Sequence, residues 1–398
     1  MFTLHVDTAL TWRGGQNQVL LTVLGLQARG HRTALVAQPN GELVRRATGC
    51  PDLIPIPSVG EVDLLAAWRL AQELKKLNPT IVQAHDAQGA AMVALARSMI
   101  RLEPKPRFVV SRRVDFHIRR NVFSRWKYSN VDRFLCASEA IRMMIIEDGI
   151  SPEQTETVHE GIDFKLVEAS PDFDLHKEFQ FPKETLIVGN VAALVPHKGQ
   201  RFLIEAAAKV ISQIPHVRFV ILGSGTLESE IRTHIRRLQL EQHVLLGGFR
   251  PDVLSLQKGF DLFVLSSTTE GLGTTLLDSM ALGLPIIATR TGGIPEVVVD
   301  TETGVLVPPC NSQALATAIV GLLRDPTSRA RFGTAARARV REQFSAEQMI
   351  QRTLEAYLRL ADTPPSGDTD RPHVARTHKS PSFRDGTTRS RNEQGPLD

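Results

Sequence analysis

Cysteine is scarce in this sequence. Its 398 residues include only Cys50, Cys136 and Cys310, which are far apart and outside any CxxC pair. A disulfide framework needs pairs of cysteines and a zinc site needs clustered ligands, so the sequence predicts neither. This cysteine usage favours the reducing environment of the cytoplasm.

Long hydrophobic runs are also missing. No stretch nears the roughly 18 consecutive apolar residues that a membrane-spanning helix needs. The N-terminus, MFTLHVDTAL, has neither the basic start nor the apolar region of a secretory signal. With 42% hydrophobic and 23% charged residues, the composition is typical of a soluble globular protein. We expect a cytoplasmic location, and peripheral attachment to the inner face of the cell membrane stays open.

The excess of positive charge is small. Lys and Arg total 47 and Asp and Glu total 43, for a formal net charge of +4. Such a mild balance does not imply a nucleic-acid partner, and we predict none.

Short β-branched runs alternate with amphipathic stretches through most of the chain. Examples are RTALVAQ followed by ELVRRAT, and TIVQAHD followed by GAAMVALARSM. This alternation predicts parallel strands with helices on both faces of the sheet. At roughly 100 to 200 residues per domain, the length predicts two doubly wound, Rossmann-like α/β domains that face each other across a cleft.

The alternation pauses once and ends once. Residues 166–185 are polar and irregular, and strands resume with LIVGNVAAL. We therefore predict an N-terminal domain over 1–165, a link over 166–185 and a C-terminal domain over 186–345. The last 36 residues hold five prolines and few apolar side chains. They cannot bury enough surface to offset their chain entropy, so we predict a disordered tail over 363–398.

The strongest candidate site is the segment SSTTEGLGTTLLDSMALGLPIIATR. Glu270 is predicted to end a strand, Gly271 and Gly273 let the backbone approach a ligand closely, and Thr274 begins a helix whose free N–H groups can receive an anion. Glu270 and Asp278 can accept hydrogen bonds from hydroxyl groups. The arrangement suits a nucleotide-linked sugar. On spacing alone, an ordinary strand-to-helix turn with capping residues is an equally good interpretation.

The same segment resembles the donor-site signature of retaining glycosyltransferases of the GT-B fold, family GT4, EGFG(x)4EAMA(x)GxPV. Here the sequence is EGLG(x)4DSMALGLPI, with Asp278 in place of the second glutamate. The resemblance continues through NVAALVPHKGQRFLIEA, FVILGSGTLESEI and TGGIPEVVVDTETGVLVPP, and more loosely through RGGQNQVLL, QAHD and HEGID in the first half. It implies a GT-B fold and a helix over 346–362 that crosses back to the N-terminal domain.

The resemblance also implies roles for individual residues. Glu270 would hold hydroxyls of the transferred sugar, Asp278 the ribose, and Lys198 in VPHKG the diphosphate. A fixed cation suits a leaving group that gains negative charge, whereas without the motif Lys198 is a solvated lysine after a strand. The donor-binding residues expected on this basis are Gly14, Gly15, Lys198, Gly271, Leu272, Gly273, Thr274 and Asp278.

The facing domain offers weaker candidates. Gly14 and Gly15 lie between a predicted strand and helix, where the backbone can approach a ligand. His85 follows the strand TIVQA and matches a functional histidine of the family. It could bond the sugar or the departing phosphate, with Asp86 either setting its tautomer or lying beside it. A histidine after a strand is as often structural, and we keep both interpretations. The predicted catalytic residues are His85, Lys198 and Glu270.

Two departures from the family pattern stand out. Ala193 occupies the position of an arginine that the family commonly has five residues before the lysine, and Glu160 occupies that of an asparagine in the link between the domains. They indicate either a different phosphate contact, with His197 or Arg201 as candidates, or a weakened enzyme.

The segment KPRFVVSRRVDFHIRRNVFSRWKY, residues 105–128, combines eight basic residues with one aspartate and several aromatic side chains. This composition suits an anionic membrane surface or a lipid-linked acceptor. A solvated basic face above buried aromatics explains it equally well.

Taken together, the motifs and the family resemblance that they carry imply a metal-independent, retaining hexosyltransferase with no cofactor and a nucleotide diphosphate sugar as co-substrate. The acceptor would be a glycan or a lipid-linked precursor of a cell-envelope polysaccharide or lipopolysaccharide. The alternative is a catalytically silent nucleotide-sugar binding or scaffold protein of the same fold, which Ala193 and Asp278 would favour.

Overall fold

The computed structural model describes residues 1–50, 52–119 and 121–362. The predicted tail over 363–398 lies outside the described residues. Two parallel sheets, whose strands alternate with helices, confirm the predicted α/β fold with two Rossmann-like domains. We call the residues around the first sheet the N-terminal lobe and those around the second the C-terminal lobe.

The N-terminal lobe is built on seven strands. They are β1 (Phe2–Asp7), β2 (Arg32–Ala37), β3 (Leu53–Pro55), β4 (Ile81–Ala84), β5 (Arg107–Arg112), β6 (Arg133–Cys136) and β7 (Thr155–Thr157), in the spatial order β3-β2-β1-β4-β5-β6-β7. The helices are α1 (Gly14–Ala28), α2 (Glu42–Arg46), α3 (Leu64–Leu77), α4 (Ala87–Ser98), α5 (Val122–Ser129) and α6 (Glu139–Glu147). Fully buried Leu4, Val82 and Phe108 belong to the core that the sheet shares with its helices.

The C-terminal lobe repeats this plan with six strands. They are β8 (Leu186–Val191), β9 (Val217–Leu222), β10 (Val244–Gly248), β11 (Leu262–Leu265), β12 (Ile286–Thr289) and β13 (Val305–Val307), in the order β10-β9-β8-β11-β12-β13. The link contributes α7 (Phe164–Ala169) and α8 (Leu175–Glu178), and the lobe itself α9 (Gln200–Ile211), α10 (Glu228–Arg237), α11 (Val253–Gln257), α12 (Thr274–Ala281), α13 (Ile294–Val297), α14 (Ser312–Arg324) and α15 (Pro326–Gln343).

The link is more ordered than its composition suggests. Asp163 and Asp174 cap the starts of α7 and α8 with side-chain oxygens that accept backbone N–H groups. Val167 and Leu175, one on each helix, are buried in the core of the C-terminal lobe. Residues 166–185 are therefore packed against that lobe, because two short capped helices each bury one apolar side chain.

The last helix, α16 (Ala346–Asp362), returns to the N-terminal lobe. A Cβ atom on Gly25 of α1 would lie 2.1 Å from Cδ1 of Ile350, so the two helices pack in close contact. Tyr357 is fully buried and its hydroxyl donates a hydrogen bond to Oε1 of Gln83. The C-terminal helix is thus part of the N-terminal core.

We predict that Tyr357→Ala lowers the free energy of unfolding by about 3 to 5 kcal/mol, because it removes a large buried ring. Tyr357→Phe keeps the ring and loses only the hydroxyl contact, so it should cost about 1 to 2 kcal/mol. Urea denaturation of both variants checks this expectation. Equal losses for the two would show that the ring does not anchor α16.

Candidate active site

The predicted site residues follow the strands at which each sheet reverses its order. In the N-terminal lobe β1 and β4 lie side by side at this point, and they lead to Gly14 and His85. In the C-terminal lobe β8 and β11 do so, and they lead to Lys198 and Glu270. Open α/β sheets bind ligands outside the carboxyl ends of such strands. The topology therefore brings these residues of each lobe to one edge of its sheet.

Lys198 and Glu270 form an ion pair in the cleft. Nζ of Lys198 lies 2.6 Å from Oε2 of Glu270, and the two side chains are 19% and 10% exposed. Ser267 also donates to Oε2, at 2.9 Å. The pair joins the two sequence motifs that carry the family resemblance and are 72 residues apart.

Glu270 lies in a loop rather than at the end of a strand as predicted. Strand β11 ends at Leu265, and the loop that follows bonds to the loop after β8. Ser266 donates to the Lys198 carbonyl at 3.1 Å, and the Thr268 N–H donates to the His197 carbonyl at 2.7 Å. These bonds fix the two loops against each other and so position the ion pair.

The start of α12 faces the start of α1 across the cleft. A Cβ atom on Gly14 would lie 2.6 Å from Oγ1 of Thr274. A Cβ atom on Gly271 would lie 2.6 Å from the carbonyl oxygen of Arg113. The lobes therefore touch at positions where one partner lacks a side chain. Leu272, between the glycines of the signature, is buried in the C-terminal core, which leaves its backbone as the only part that can reach a ligand.

Asp278 is a partly buried carboxyl group one turn into α12. Burial raises its pKa to about 7. Within the described residues its side chain has no hydrogen-bond partner. A carboxylate with unused acceptor capacity inside a binding segment is suited to hydroxyl groups of a ligand.

His85 is buried, and both of its ring nitrogens contact the protein. Nη1 of Arg113 lies 3.1 Å from Nδ1 of His85. Because a guanidinium can only donate, Nδ1 accepts, and the Nε2–H of His85 therefore donates to Nδ1 of His5 at 3.0 Å. Burial, with Arg113 and His5, holds the pKa of His85 well below its usual value.

Asp86 does not set the tautomer of His85, which was one of the two interpretations that the sequence left open. Its carboxylate accepts hydrogen bonds from the hydroxyl and the N–H of Thr8 and from the N–H of Gly89 at the start of α4. It is a helix cap, a role that Asp favours at this position.

Arg113 and Glu160 form a second buried ion pair. Nε of Arg113 lies 3.1 Å from Oε1 of Glu160, with side chains 16% and 9% exposed. Burial raises the pKa of the Glu160 carboxyl; Arg113 opposes the rise and Glu270 adds to it. The sequence analysis placed Arg113 in the basic segment 105–128 and did not predict this ion pair. The carboxylate of Glu160, at a position where the family has asparagine, was the one sign that a cation lies nearby.

The proposed basic face is smaller than the sequence suggested. Arg112 is buried and donates to the carbonyl of Phe116, Lys127 is 2% exposed in its side chain, and Tyr128 is buried. Parallel strand β5 places Arg112 inside the lobe, because both faces of such a sheet are covered. Arg120 lies outside the described residues.

Two other candidates for a phosphate contact differ in position. The guanidinium of Arg201 lies 4.6 Å from the ring centre of Phe202 on its own helix. The imidazole of His197 meets the ring of Phe116 in the other lobe edge to face, with centroids 5.9 Å apart. Ala193 contributes its carbonyl, which accepts from Gln200.

Glu296 connects the lobes directly. Its carboxylate accepts from the N–H groups of Glu139 at 2.8 Å and Ala140 at 2.9 Å, which open α6, and lies 2.8 Å from Nε2 of His159. Burial acts to raise the pKa of Glu296, but these hydrogen bonds outweigh it and the pKa is lowered.

A cavity of about 160 Å³ lies between the lobes beside Glu270. Its lining residues are Asp115, Ala140, Ile141, Met144, Thr269, Glu270, Thr291 and Gly292. The lining combines three apolar side chains of α6 with two carboxylates and two hydroxyls, a mixture that fits part of a carbohydrate.

Two family models match the chain. Residues 12–166 match Glycosyltransferase Family 4, and residues 172–339 match Glycosyl transferases group 1. Together the two matches cover most of the chain. The chain therefore belongs to the GT4-type glycosyltransferases of the GT-B fold, and the resemblance drawn from the sequence is confirmed.

Named relatives include a putative colanic acid biosynthesis glycosyltransferase, WcaL, from Salmonella typhimurium. It is 32% identical over 53% of this chain and 52% of its own length. The GDP-mannose-dependent monoacylated alpha-(1-6)-phosphatidylinositol monomannoside mannosyltransferase of Corynebacterium glutamicum is 34% identical over 50% of this chain and 54% of its own length. The match thus spans about half the length of these curated relatives.

Among solved structures, Anabaena Alr3699/HepE in complex with UDP and glucose superposes with a TM-score of 0.79 at 20% identity, covering 90% of this chain and 100% of that one. A glycosyltransferase from Rickettsia africae has the same TM-score at 21% identity, covering 91% and 99%. At this identity the likeness shows the fold alone.

Two features are not found in the part of the chain that the structure describes. No helix there is both long and apolar enough to cross a membrane. No group of three or more His, Cys, Asp or Glu side chains is placed there to hold a metal ion. Metal independence stays a prediction.

We predict that Asp278→Asn stabilises the protein at pH 8. The folded carboxyl has a pKa of about 7, above the unfolded value of about 3.9. The folded state therefore binds more protons between these values, and stability falls as the pH rises through them. Thermal unfolding should show the variant melting above wild type at pH 8, with the difference shrinking towards pH 4.

Asp252→Asn is the matched control for this experiment. Its pKa is lowered by hydrogen bonds from Arg250, so its removal should give the opposite sign at pH 8. An Asp278→Asn variant that melts at or below wild type at pH 8 would contradict the assignment of a desolvated carboxyl.

Proposed function

We propose that this protein is a retaining glycosyltransferase that moves a sugar from a nucleoside diphosphate sugar to an acceptor hydroxyl. The observation that carries the proposal is the ion pair of Lys198 and Glu270, at 2.6 Å, in the cleft where the two lobes meet. It sets a cation and a hydrogen-bond acceptor side by side, where a diphosphate and its sugar would be neighbours.

Each part of the reaction has a matching group. The bond from the anomeric carbon to the phosphate oxygen breaks, and the diphosphate leaves with the electron pair. Lys198 stabilises that growing charge, and the free N–H groups at the start of α12 add to it. Glu270 and Asp278 accept hydrogen bonds from sugar and ribose hydroxyls. The acceptor hydroxyl attacks the same face, and its proton goes to the departing phosphate oxygen, as the family resemblance implies.

The cavity beside Glu270 is the proposed acceptor site. It opens between the lobes and has an apolar side formed by α6 residues Ala140, Ile141 and Met144. The names of the relatives refer to colanic acid biosynthesis and to a phosphatidylinositol monomannoside. They support an acceptor from polysaccharide or glycolipid biosynthesis.

An anionic membrane surface is the proposed partner of the N-terminal lobe. Four apolar side chains that precede or begin α3 are strongly exposed: Val59 at 85%, Val62 at 62%, Leu65 at 57% and Trp68 at 54%. We call these four residues and Val122, which is 85% exposed, the apolar patch. Clustered exposed apolar side chains mark a contact surface.

The position of the apolar patch supports this partner. Glu61 lies in the loop before α3, which we call the α3 loop, and pairs with Lys127 of α5 at 3.4 Å. The α3 loop therefore lies against the helix that carries Val122. Exposed Arg119 and Arg125 flank Val122. Apolar side chains with neighbouring cations are the combination that binds anionic bilayers. The sequence had placed this surface in residues 105–128, and it missed the α3 loop.

We predict that Lys198→Ala lowers kcat by about 100- to 1000-fold, the loss expected when one preorganised electrostatic donor is removed. The assay is release of nucleoside diphosphate from UDP-, GDP- and ADP-sugars, with the product anomer assigned by NMR. Lys209→Ala is the control and should keep full activity, because this partly exposed lysine of α9 bonds Gln313. Wild type that binds donor but never releases diphosphate would favour the silent binding protein.

We predict that Val59→Ser with Trp68→Ser weakens binding to phosphatidylglycerol-containing vesicles at least about 10-fold, because two apolar side chains no longer enter the bilayer. Co-sedimentation measures it, and raised salt should weaken wild-type binding as well. Leu358→Ser, on the exposed side of α16, should bind like wild type. Identical sedimentation of all three proteins would reject the membrane partner.

A further inference from the structure

We propose that Arg113 of the N-terminal lobe binds the diphosphate of the donor. It would replace the arginine that the family commonly has in the C-terminal lobe, where this chain has Ala193. This inference rests on the proposed function and names a further group that holds the donor. Its substrate chemistry is the β-phosphate of a nucleoside diphosphate. It also gives the substituted link residue Glu160 a role, as the carboxylate that positions Arg113.

The backbone of Arg113 borders the donor signature. Its carbonyl oxygen lies 2.6 Å from the point where a Cβ atom of Gly271 would stand. Its Cδ atom lies 3.9 Å from the corresponding point of Gly15 at the start of α1. The Arg113 side chain therefore lies between the start of α1 and the loop that carries Glu270 and leads to α12. Donor phosphates would approach the starts of these two helices.

The guanidinium is held in place by two protein groups. Nε is paired with Glu160 at 3.1 Å, and Nη1 donates to Nδ1 of His85 at 3.1 Å. His5 supports the tautomer of His85 that makes this possible, because Nδ1 of His5 accepts a hydrogen bond from the Nε2–H of His85. Within the described residues Nη2 forms no hydrogen bond. A planar guanidinium with two nitrogens held and the third available suits a phosphate oxygen.

In the absence of a ligand, the positive and negative side chains around Arg113 are equal in number. The pairs of Arg113 with Glu160 and of Lys198 with Glu270 bring two cations and two carboxylates into the cleft. The pKa of Glu160 responds to all three of the other charges, which places the two pairs within electrostatic reach of each other. A diphosphate adds negative charge, and its departure adds more, so a second fixed cation stabilises the leaving group beyond what Lys198 provides.

A phosphate on the acceptor is the other possible source of the same chemistry. The proposed acceptor cavity is lined by Asp115 and Glu270 and not by Arg113. Two carboxylates repel a phosphate, whereas Arg113 lies on the side of Gly15. The geometry therefore assigns Arg113 to the donor.

The test compares binding of UDP, GDP and ADP with that of the corresponding monophosphates by calorimetry. Wild type should bind one diphosphate more tightly than its monophosphate. In Arg113→Ala with Glu160→Gln, which leaves no unpaired buried charge, affinity for the diphosphate should fall about 10- to 100-fold. Affinity for the monophosphate should change less than about 2-fold, since Arg113 would contact the second phosphate only.

Arg97→Ala with Asp132→Asn is the matched control. This buried pair belongs to the same lobe, and Asp132 precedes β6 at the amino end of the sheet, opposite the cleft. The control variant should lose stability without any change in the ratio of diphosphate to monophosphate affinity. A merely structural role of Arg113 would give the same result as the control.

Three results would overturn the proposal in distinguishable ways. An unchanged affinity ratio in the Arg113→Ala, Glu160→Gln variant rejects donor binding by Arg113. If that variant instead loses binding of glycerol 1-phosphate, used as a probe for an acceptor phosphate, the residue belongs to the acceptor site. Wild type that binds no nucleoside diphosphate and no nucleotide sugar overturns the proposed function, and the inference with it.

Discussion

The carboxylate of Glu296 holds the two lobes at the separation on which the site depends. It belongs to the C-terminal lobe and accepts two backbone N–H groups at the start of α6 in the other lobe. An unpaired carboxylate in this half-buried position would be costly, so the two lobes are held together by a group that needs both of them. The close approaches of Gly14 to Thr274 and of Gly271 to Arg113 exist only because the lobes are this near.

The domain type could be predicted from the sequence because parallel sheets buried on both faces leave a clear pattern of apolar runs. The link could not. Helices α7 and α8 have six and four residues, too few for a 3.6-residue period to show. The sequence signal for these two helices is a pair of helix caps, Asp163 and Asp174. Each cap is followed within a few residues by one apolar side chain that packs on the C-terminal lobe.

That the C-terminal residues of the candidate site lie together could be predicted, because a contiguous signature carries most of them. Glu270, Asp278 and the glycines lie on one loop and helix, and Lys198 has its own short motif. Arg113 could not be predicted, because its partners are 28 and 47 residues distant in sequence and one belongs to another element of the sheet. Composition placed Arg113 with its neighbours in a basic stretch, whereas burial separates it from the exposed Arg119.

The glycines of the donor signature serve two different physical purposes, which the sequence does not distinguish. Gly273 has φ of 91°, a backbone conformation that side chains disfavour, so its glycine is required by the loop itself. Gly271 lies outside that region, and its missing Cβ is required by the Arg113 carbonyl of the other lobe. Gly273 is therefore required by the conformation of its own loop, and Gly271 by the close contact between the two lobes. The Arg113 backbone lies against the loop that carries Glu270, so a side chain at position 271 would force the two lobes apart.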